Sequence, residues 1–345
     1  MKKVRVGVIG VGGLACSIHL PILSSLEEVE LVALCDWVET RAQEACRRFA
    51  VPKMYLSHIT MLQEEKLDAV FVLTQPDMLF RPALDCLNAG LAVFMEKPMG
   101  ITLFQANTLK RLADEKDRRL HVGFNRRSIP LVSEILRRMK ELTEITHVEG
   151  RFYKNSSASF YDGCASAFVC DVIHVIDLVR HIAASPVEKC MTLQGPLEKD
   201  GVVQSWYSAI AFKNGMTGAV RANYQTGGRV HDFEIHGPNA SAYIDLGFGN
   251  AGCSGRILHC NGQTHSLSAA GNAEPQIEYF DGMKIAGSED YTHYYGYFDE
   301  DREFIRCVQN DPSHGDPQRT AEDFATMELV EQLQNSCQYG LLQKE

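Results

Sequence analysis

The order of apolar runs and helical stretches predicts an α/β chain in two parts, a doubly wound parallel sheet followed by an α/β domain with an open, mainly antiparallel sheet. Three observations predict it. Over the first 124 residues short apolar runs alternate with helical patterns, as in a parallel sheet covered by helices on both faces. A glycine-rich turn joins the first run to the first helix. Beyond residue 125 the apolar runs are closely spaced and separated by turn signals, the grammar of antiparallel strands. A length of 345 residues suits two domains at roughly 150 residues each. The boundary falls at 124/125, with the last helix able to pack back on the first domain.

The expected strands of the first domain are Val4–Ile9, Glu30–Cys35, Ala69–Leu73, Leu91–Met95 and Leu120–Phe124. Between them the spacing predicts helices over Leu14–Ser25, Glu39–Phe49, Leu79–Ala89 and Leu103–Asp117. Gly90 is placed to cap a helix C-terminus, and Pro21 is expected to end or kink the first helix early. The second domain opens with a helix over Pro130–Leu142 and a strand over Thr146–Tyr153. A strongly patterned helix follows over Ala165–Ile182. Strands are then expected over Lys189–Leu193, Val203–Phe212, Thr217–Tyr224, Phe233–His236, Ala242–Leu246 and Ile257–Cys260. Residues 248–290, with many Gly, Ser and Asn, read as an irregular excursion. Helices over Phe298–Gln309 and Thr320–Ser336 complete the pattern.

Composition excludes several functions. A net charge of −10 without a basic block disfavours nucleic acid. No apolar run approaches the ~20 residues of a membrane span. The eleven cysteines are scattered, with no Cys-x-x-Cys pair. The loose pairs Cys164/Cys170 and Cys253/Cys260 do not have the spacing of a metal site. Reduced thiols and a cytoplasmic location are therefore expected, and no metal.

Val4–Ile9 runs into Gly10-Val11-Gly12-Gly13-Leu14-Ala15, a Gly-x-Gly-x-x-Ala turn. Gly10 allows the tight strand-to-helix turn. Gly12 lets backbone approach a pyrophosphate at the helix N-terminus, and Ala15 lets that helix pack close on the sheet. The next strand ends in Asp36, about twenty residues on, where a carboxylate accepts from ribose hydroxyls. This is a Rossmann dinucleotide site. Because Asp36 would repel a 2′-phosphate, NAD(H) is expected over NADP(H).

The strand ending at Met95 delivers Glu96-Lys97-Pro98 to the carboxyl edge of the sheet, where open parallel sheets bind ligands. A lysine there can stabilise charge on a substrate oxygen as hydride leaves carbon. On spacing alone, a surface lysine held by a turn proline is an equal reading.

The glycine turn, His19-Leu20-Pro21, Asp36, Glu96-Lys97-Pro98 and Val122-Gly123-Phe124-Asn125-Arg126-Arg127 together resemble the glucose–fructose oxidoreductase/inositol dehydrogenase/MocA (Gfo/Idh/MocA) family. The resemblance is specific over residues 1–130 and looser through the helix of His174 to the end. It implies a Lys beside the nicotinamide and the reacting carbon, a role that maps to Lys97. It also implies substrates among sugars, sugar derivatives, inositols and related polyols. The second-domain sheet would then form a homodimer or homotetramer interface. The cofactor set expected alongside Gly10, Gly12, Gly13, Leu14, Ala15 and Asp36 is Trp37, Arg41, Thr74, Gln75, Pro76, Glu96, Lys97 and Asn125.

Oxidising a secondary alcohol requires a proton acceptor, and His titrates near neutrality. Asp171, His174 and Asp177 follow at i, i+3 on one side of a helix. His174 matches the family's usual acid/base within its His-x-x-Asp pattern. Two departures stand out. Cys170 occupies the position where the family commonly has a carboxylate, so Asp171 either reaches the substrate from one residue later or pairs locally. Thr74-Gln75-Pro76 is followed by Leu79-Phe80, where the family more often has Thr-Pro and a nearby His. Asn125 is expected at the site. Arg126 and Arg127 either bind an anionic sugar or pair with acidic neighbours. Tyr153 and Lys154 are weaker substrate candidates, and Tyr291–Tyr297 suits core, interface or sugar platform alike. The expected chemistry is NAD-dependent hydride transfer at a sugar or polyol, with Lys97 polarising oxygen, His174 exchanging its proton and Asp171 tuning the site. The alternatives are a redox-neutral lyase using transient oxidation by bound NAD, and a non-catalytic NAD-sensing protein.

Overall fold

The computed structural model describes residues 2–160, 165–195, 202–247, 252–260, 276–311 and 313–339. They divide into two compact units. One is built from Met1–Phe124 and Tyr297–Glu328 with the short piece ending at Ala165, the other from Asn125–Phe160, Ser166–Gly296 and the stretch from Leu329 onward. Residues 297–328, which lie beyond the boundary read from the sequence, thus cluster with the N-terminal residues.

In the first unit, strands β1 (Val4–Ile9), β2 (Val29–Cys35), β3 (Lys53–Tyr55), β4 (Ala69–Val72), β5 (Ala92–Met95) and β6 (Leu120–Val122) form one sheet in the order β3-β2-β1-β4-β5-β6. Every pairing is parallel. β4, β5 and β6 are buried along their whole length, which is why β4 and β5 are continuous apolar runs with no alternation. Helices α1 (Leu20–Ser25), α2 (Glu39–Phe49), α3 (His58–Glu64), α4 (Phe80–Asn88) and α5 (Leu103–Lys116) make the crossovers. Strand order reverses between β1 and β4, the place where a doubly wound sheet opens a crevice. Two short elements, β3 and α3, were not expected. Neither is long enough to show a period. Pro21 does not end the first helix. A π-helical turn, Ala15–His19, precedes it, and Pro21 stands in the first turn of α1, where a missing N–H costs little. Gly90 has φ +79° and follows α4, as a left-handed C-terminal glycine should.

The second unit contains α6 (Pro130–Leu142), β7 (His147–Asn155), the two-residue strands β8 (Ser159–Phe160) and β9 (Ala165–Ser166), and α7 (Ile173–Ala183), which a π-helical turn Phe168–Val172 introduces. Strands β10 (Val187–Gln194), β11 (Ser205–Phe212), β12 (Thr217–Asn223), β13 (Gln225–Gly237), β14 (Ala240–Asp245), β15 (Ser254–His259) and β16 (Gln276–Asp281) follow, then α8 (Gly282–Ala286) and α9 (Tyr291–Tyr294). Of the last elements, α10 (Tyr297–Asn310) and α11 (Pro317–Asn335) as far as Glu328 belong to the first unit, and the end of α11 with β17 (Cys337–Tyr339) to the second. The nine-stranded sheet has the order β16-β15-β14-β13-β7-β12-β11-β10-β17. It is antiparallel except for β12–β7 and β10–β17. The expected irregular excursion over 248–290 is corrected in part. Ser254–His259 and Gln276–Asp281 pair as antiparallel strands, a register set by partners across the sheet that local composition does not reveal. Residues 248–251 and 261–275, and Cys164 of one loose cysteine pair, lie outside the described residues.

Helices cover one face of this sheet. Gly150 in β7 admits α7 so closely that a Cβ there would lie 2.3 Å from Val175 Cγ2, and a Cβ on Gly255 in β15 would lie 2.3 Å from Ile135 Cδ1 of α6. In the first unit the edge strand β6 is closed by side chains of α11. The Val122 N–H donates to Asp323 Oδ2 (3.0 Å), and the Thr320 hydroxyl donates to the Leu120 carbonyl (3.1 Å). Both satisfy backbone groups that an open edge would expose.

Candidate active site

The turn after β1 has the geometry its glycines predict. Gly10 has φ +89°, and a Cβ there would lie 2.9 Å from the Leu73 carbonyl carbon and the Thr74 nitrogen at the end of β4. Any side chain would fail on both counts. At Gly12 and Gly13 a Cβ would meet nothing within 4 Å, so both face open space. A cavity of about 980 Å³ lies there, lined by Gly10, Gly12, Gly13, Leu14, Asp36, Trp37, Arg41, Thr74, Gln75, Pro76, Glu96 and Lys97. Ala15 is buried against the sheet instead, in the packing role expected of it. Asp36 accepts from the Val11 N–H (3.0 Å) and the Val38 N–H (2.9 Å), which hold its carboxylate at the rim. Arg48, Arg81 and His58 also line the cavity and carried no sequence signal, because they lie on α2, α3 and α4 as ordinary surface residues.

Beneath Lys97 lies a buried charge cluster. Glu96 Oε2 accepts from the Lys97 backbone N–H (3.2 Å), and Glu96 Oε1 lies 3.2 Å from His19 Nε2. His19 Nδ1 is 3.0 Å from both oxygens of Asp301 in α10. Burial alone would lower the His19 pKa, but the Asp301 and Glu96 carboxylates outweigh it and raise the imidazole to about 10. It is therefore an imidazolium at neutral pH. Burial acts to raise Glu96, yet His19 and Lys97 hold it below the ordinary carboxylate value. The adjacent Glu300 is pushed well up from the ordinary carboxylate value by burial. The motif His19-Leu20-Pro21 was visible in the sequence. Its link to Asp301, 282 residues away, was not.

The second unit gathers another group. Arg126 Nη1 donates to His174 Nε2 (3.0 Å) and to Asn125 Oδ1 (2.6 Å), while Asn125 Nδ2 donates to the Tyr295 carbonyl (2.8 Å). Because a guanidinium only donates, His174 Nε2 is the accepting nitrogen. Arg127 Nε donates to Asp177 Oδ2 at 2.9 Å in a buried two-point ion pair. Of its two expected roles, Arg127 therefore takes the pairing one. Asp171 Oδ2 is bound by the Lys154 ammonium and by the Tyr224 hydroxyl, the latter at 2.7 Å. Burial, then the Asp171 charge, pushes the Tyr224 phenol far up. Tyr153 is not part of this group. Side chains alternate along a strand, and Phe152, buried under α7, puts Tyr153 on the opposite face of β7. Tyr224, Arg229 and His231 join the group without a sequence signal, since each sits inside an apolar or mixed run, whereas Tyr295 comes from the Tyr291–Tyr297 cluster noted in the sequence.

Residues 4–124 match the oxidoreductase family with an NAD-binding Rossmann fold, GFO_IDH_MocA. Over those residues the chain is similar to the Gfo/Idh/MocA oxidoreductases. The YceM protein of Salmonella typhimurium is 28% identical over 183 residues, 53% of this chain and 57% of that protein, so the chain matches little more than half of that relative's length. Myo-inositol 2-dehydrogenase of Thermotoga maritima is 25% identical over 258 residues, 70% of this chain and 75% of that protein. The crystal structure of a dehydrogenase from Chromobacterium violaceum superposes with a TM-score of 0.83 at 21% identity, covering 98% of this chain and 96% of that one. That likeness establishes the shared fold.

The residues around this cavity fit a nicotinamide dinucleotide. Gly12 and Gly13 leave a cradle that any side chain would enter. The Thr74 hydroxyl oxygen is buried in the cavity wall with no hydrogen-bond partner among the described residues, as expected of a group that serves a ligand. Residues 4–124 match a family of oxidoreductases with an NAD-binding Rossmann fold, and their cavity has the form such a nucleotide needs.

Proposed function

We propose that this chain is an NAD-dependent oxidoreductase that moves a hydride between nicotinamide and a secondary alcohol or ketone of a sugar, sugar derivative or inositol-type polyol. The observation that carries the reading is Lys97, which lines the same cavity as Gly12 and Asp36. The name of the Thermotoga maritima relative supports the substrate class. When bound, the nicotinamide supplies the hydride donor or acceptor. Lys97 donates a hydrogen bond to the reacting oxygen and offsets its developing charge. His174 exchanges the hydroxyl proton at Nε2, the nitrogen that now accepts from Arg126. Asp171 keeps Lys154 and Tyr224 in place beside it. Asp36 favours NAD(H), because a 2′-phosphate would meet its carboxylate. The protein acts in the cytoplasm, where its cysteines stay reduced, as a homodimer or homotetramer assembled through the open sheet face.

Lys97→Ala and His174→Ala should each lower kcat by about 100-fold or more while leaving NADH affinity, read by fluorescence titration, nearly unchanged. Turnover near that of the native enzyme would remove the residue concerned from the mechanism. The same titration with NADPH checks Asp36, and tighter NADPH binding would reject the NAD assignment. Product formation without any free NADH would point instead to transient oxidation.

A further inference from the structure

Three cationic side chains converge beside His174 on the second unit. Lys154 Nζ and Arg229 Cζ lie 5.0 and 5.9 Å from the centre of one ring, Phe152. The His231 ring stands 4.8 Å from that same ring, edge-on, and its Nδ1 is 3.2 Å from the Tyr295 hydroxyl. Arg126 Cζ lies 5.2 Å from the Tyr295 ring. The group is thus continuous from Lys154 to Arg126 and on to His174. His231 is 1% exposed, and its Nε2 has no hydrogen-bond partner among the described residues. Burial, then Arg126, Arg229 and Lys154, holds His231 well below its usual pKa, so the local field is positive. Arg126 is buried, Lys154 and Arg229 are half-buried, and Lys154 also binds Asp171; three cations gathered around one pair of rings offer an anion several charge-assisted donors at once.

We propose that Arg126, Arg229 and Lys154 recognise a carboxylate or phosphate on the substrate, and that the bound anion draws Arg126 off His174 Nε2. This rests on the assignment of His174 as the proton-exchanging group and narrows the substrate to an anionic sugar or polyol. It also removes a difficulty. While Arg126 donates to Nε2 at 3.0 Å, the lone pair needed for proton abstraction is engaged. An anion that takes the guanidinium frees that lone pair only when the right substrate arrives. A neutral polyol leaves it engaged. Arg126 and Arg229 suit the task because a guanidinium fork matches both carboxylate and phosphate.

The test uses the whole enzyme saturated with NAD+ and four probes: glucose 6-phosphate, glucuronate, glucose and myo-inositol. Binding is read by calorimetry and turnover by NADH absorbance. One or both charged probes should bind at least tenfold more tightly than the neutral ones, with affinity falling as salt rises. Preference between the phosphate and the carboxylate identifies the anion. Arg229→Gln should weaken the charged probe about tenfold and leave the neutral probes unaffected, and Arg229→Lys should restore part of the loss. Equal binding of charged and neutral probes, or no effect of Arg229→Gln, overturns the proposal. Charged probes that bind selectively with no NADH formed would instead count against the hydride-transfer reading and leave anion recognition standing.

Discussion

His19 shows how one side chain sets a pH dependence. It lies fully buried between Glu96 and Asp301 and is charged at neutral pH. Its folded pKa, about 10, is above the ordinary 6.5. A raised pKa means the folded state holds the proton longer than the unfolded chain. The stabilisation is therefore fully present below pH 6.5 and is lost as pH rises through 10. His19→Gln leaves two buried carboxylates without their cation, and should cost about 3–5 kcal/mol. Urea melts of native protein and variant, compared at about pH 6 and about pH 9.5, should show the gap shrinking at the higher value. A gap independent of pH would mean that the imidazole is neutral. At this scale the sequence marked candidate residues and not what they touch. Gly10, Asp36 and Lys97 reached one cavity as expected, because the strand-turn-helix order fixes them locally. The partners of His19, Arg127 and Asp171 come from chain segments brought together only by folding.

Among elements, the turn after β1 was the most legible, since its positions are dictated by backbone conformation. Gly10 combines a positive φ with a backbone neighbour 2.9 Å from any Cβ. Gly10→Ala should therefore destabilise by about 1–3 kcal/mol and abolish NADH binding, a double loss that thermal melting and fluorescence titration would register together. An Ala variant that bound NADH normally would show that β1 and β4 can separate at no cost. Gly150 in β7 is a different case, with an ordinary φ and no visible motif. Its constraint is the closeness of α7, 2.3 Å from a notional Cβ to Val175. Gly150→Val should cost about 1–3 kcal/mol by overpacking, and the companion change Val175→Ala should recover part of it in a double-mutant cycle. Strict additivity of the two would contradict the contact. Such contacts explain why β16 and the short β3 escaped the sequence, and why β15 was expected only over its second half, from Ile257. Their register depends on neighbouring strands, and their own residues carry too little alternation to announce it.

On the scale of the whole molecule, α6 and α7 pack on one face of the nine-stranded sheet, and the register shows which of the described side chains line the other. Leu193 pairs with Tyr207, Tyr207 with Arg221, and Arg221 with Arg151 of β7. Arg151 pairs with Asp232, and the same face continues through Tyr243 and Arg256 to Tyr279. Met191, Leu193, Tyr207, Val230, Ile277 and Tyr279 are all exposed by 40% or more, and by that register they share this face. Ion pairs from Arg151 to Asp232 and Glu234, and from Arg221 to Glu149, run through its middle. A broad apolar surface with a mixed-charge centre is self-complementary, as a two-fold interface requires. Light scattering of the native protein should give a dimer or tetramer mass. Under the proposed assembly, Leu193→Asp with Tyr207→Asp would put like charges into the interface and should reduce that mass. NADH affinity should stay unchanged, since the dinucleotide cavity is formed by the other unit. A native protein that runs as a monomer, or a double variant that keeps its mass, would mean that this face meets something other than its own copy.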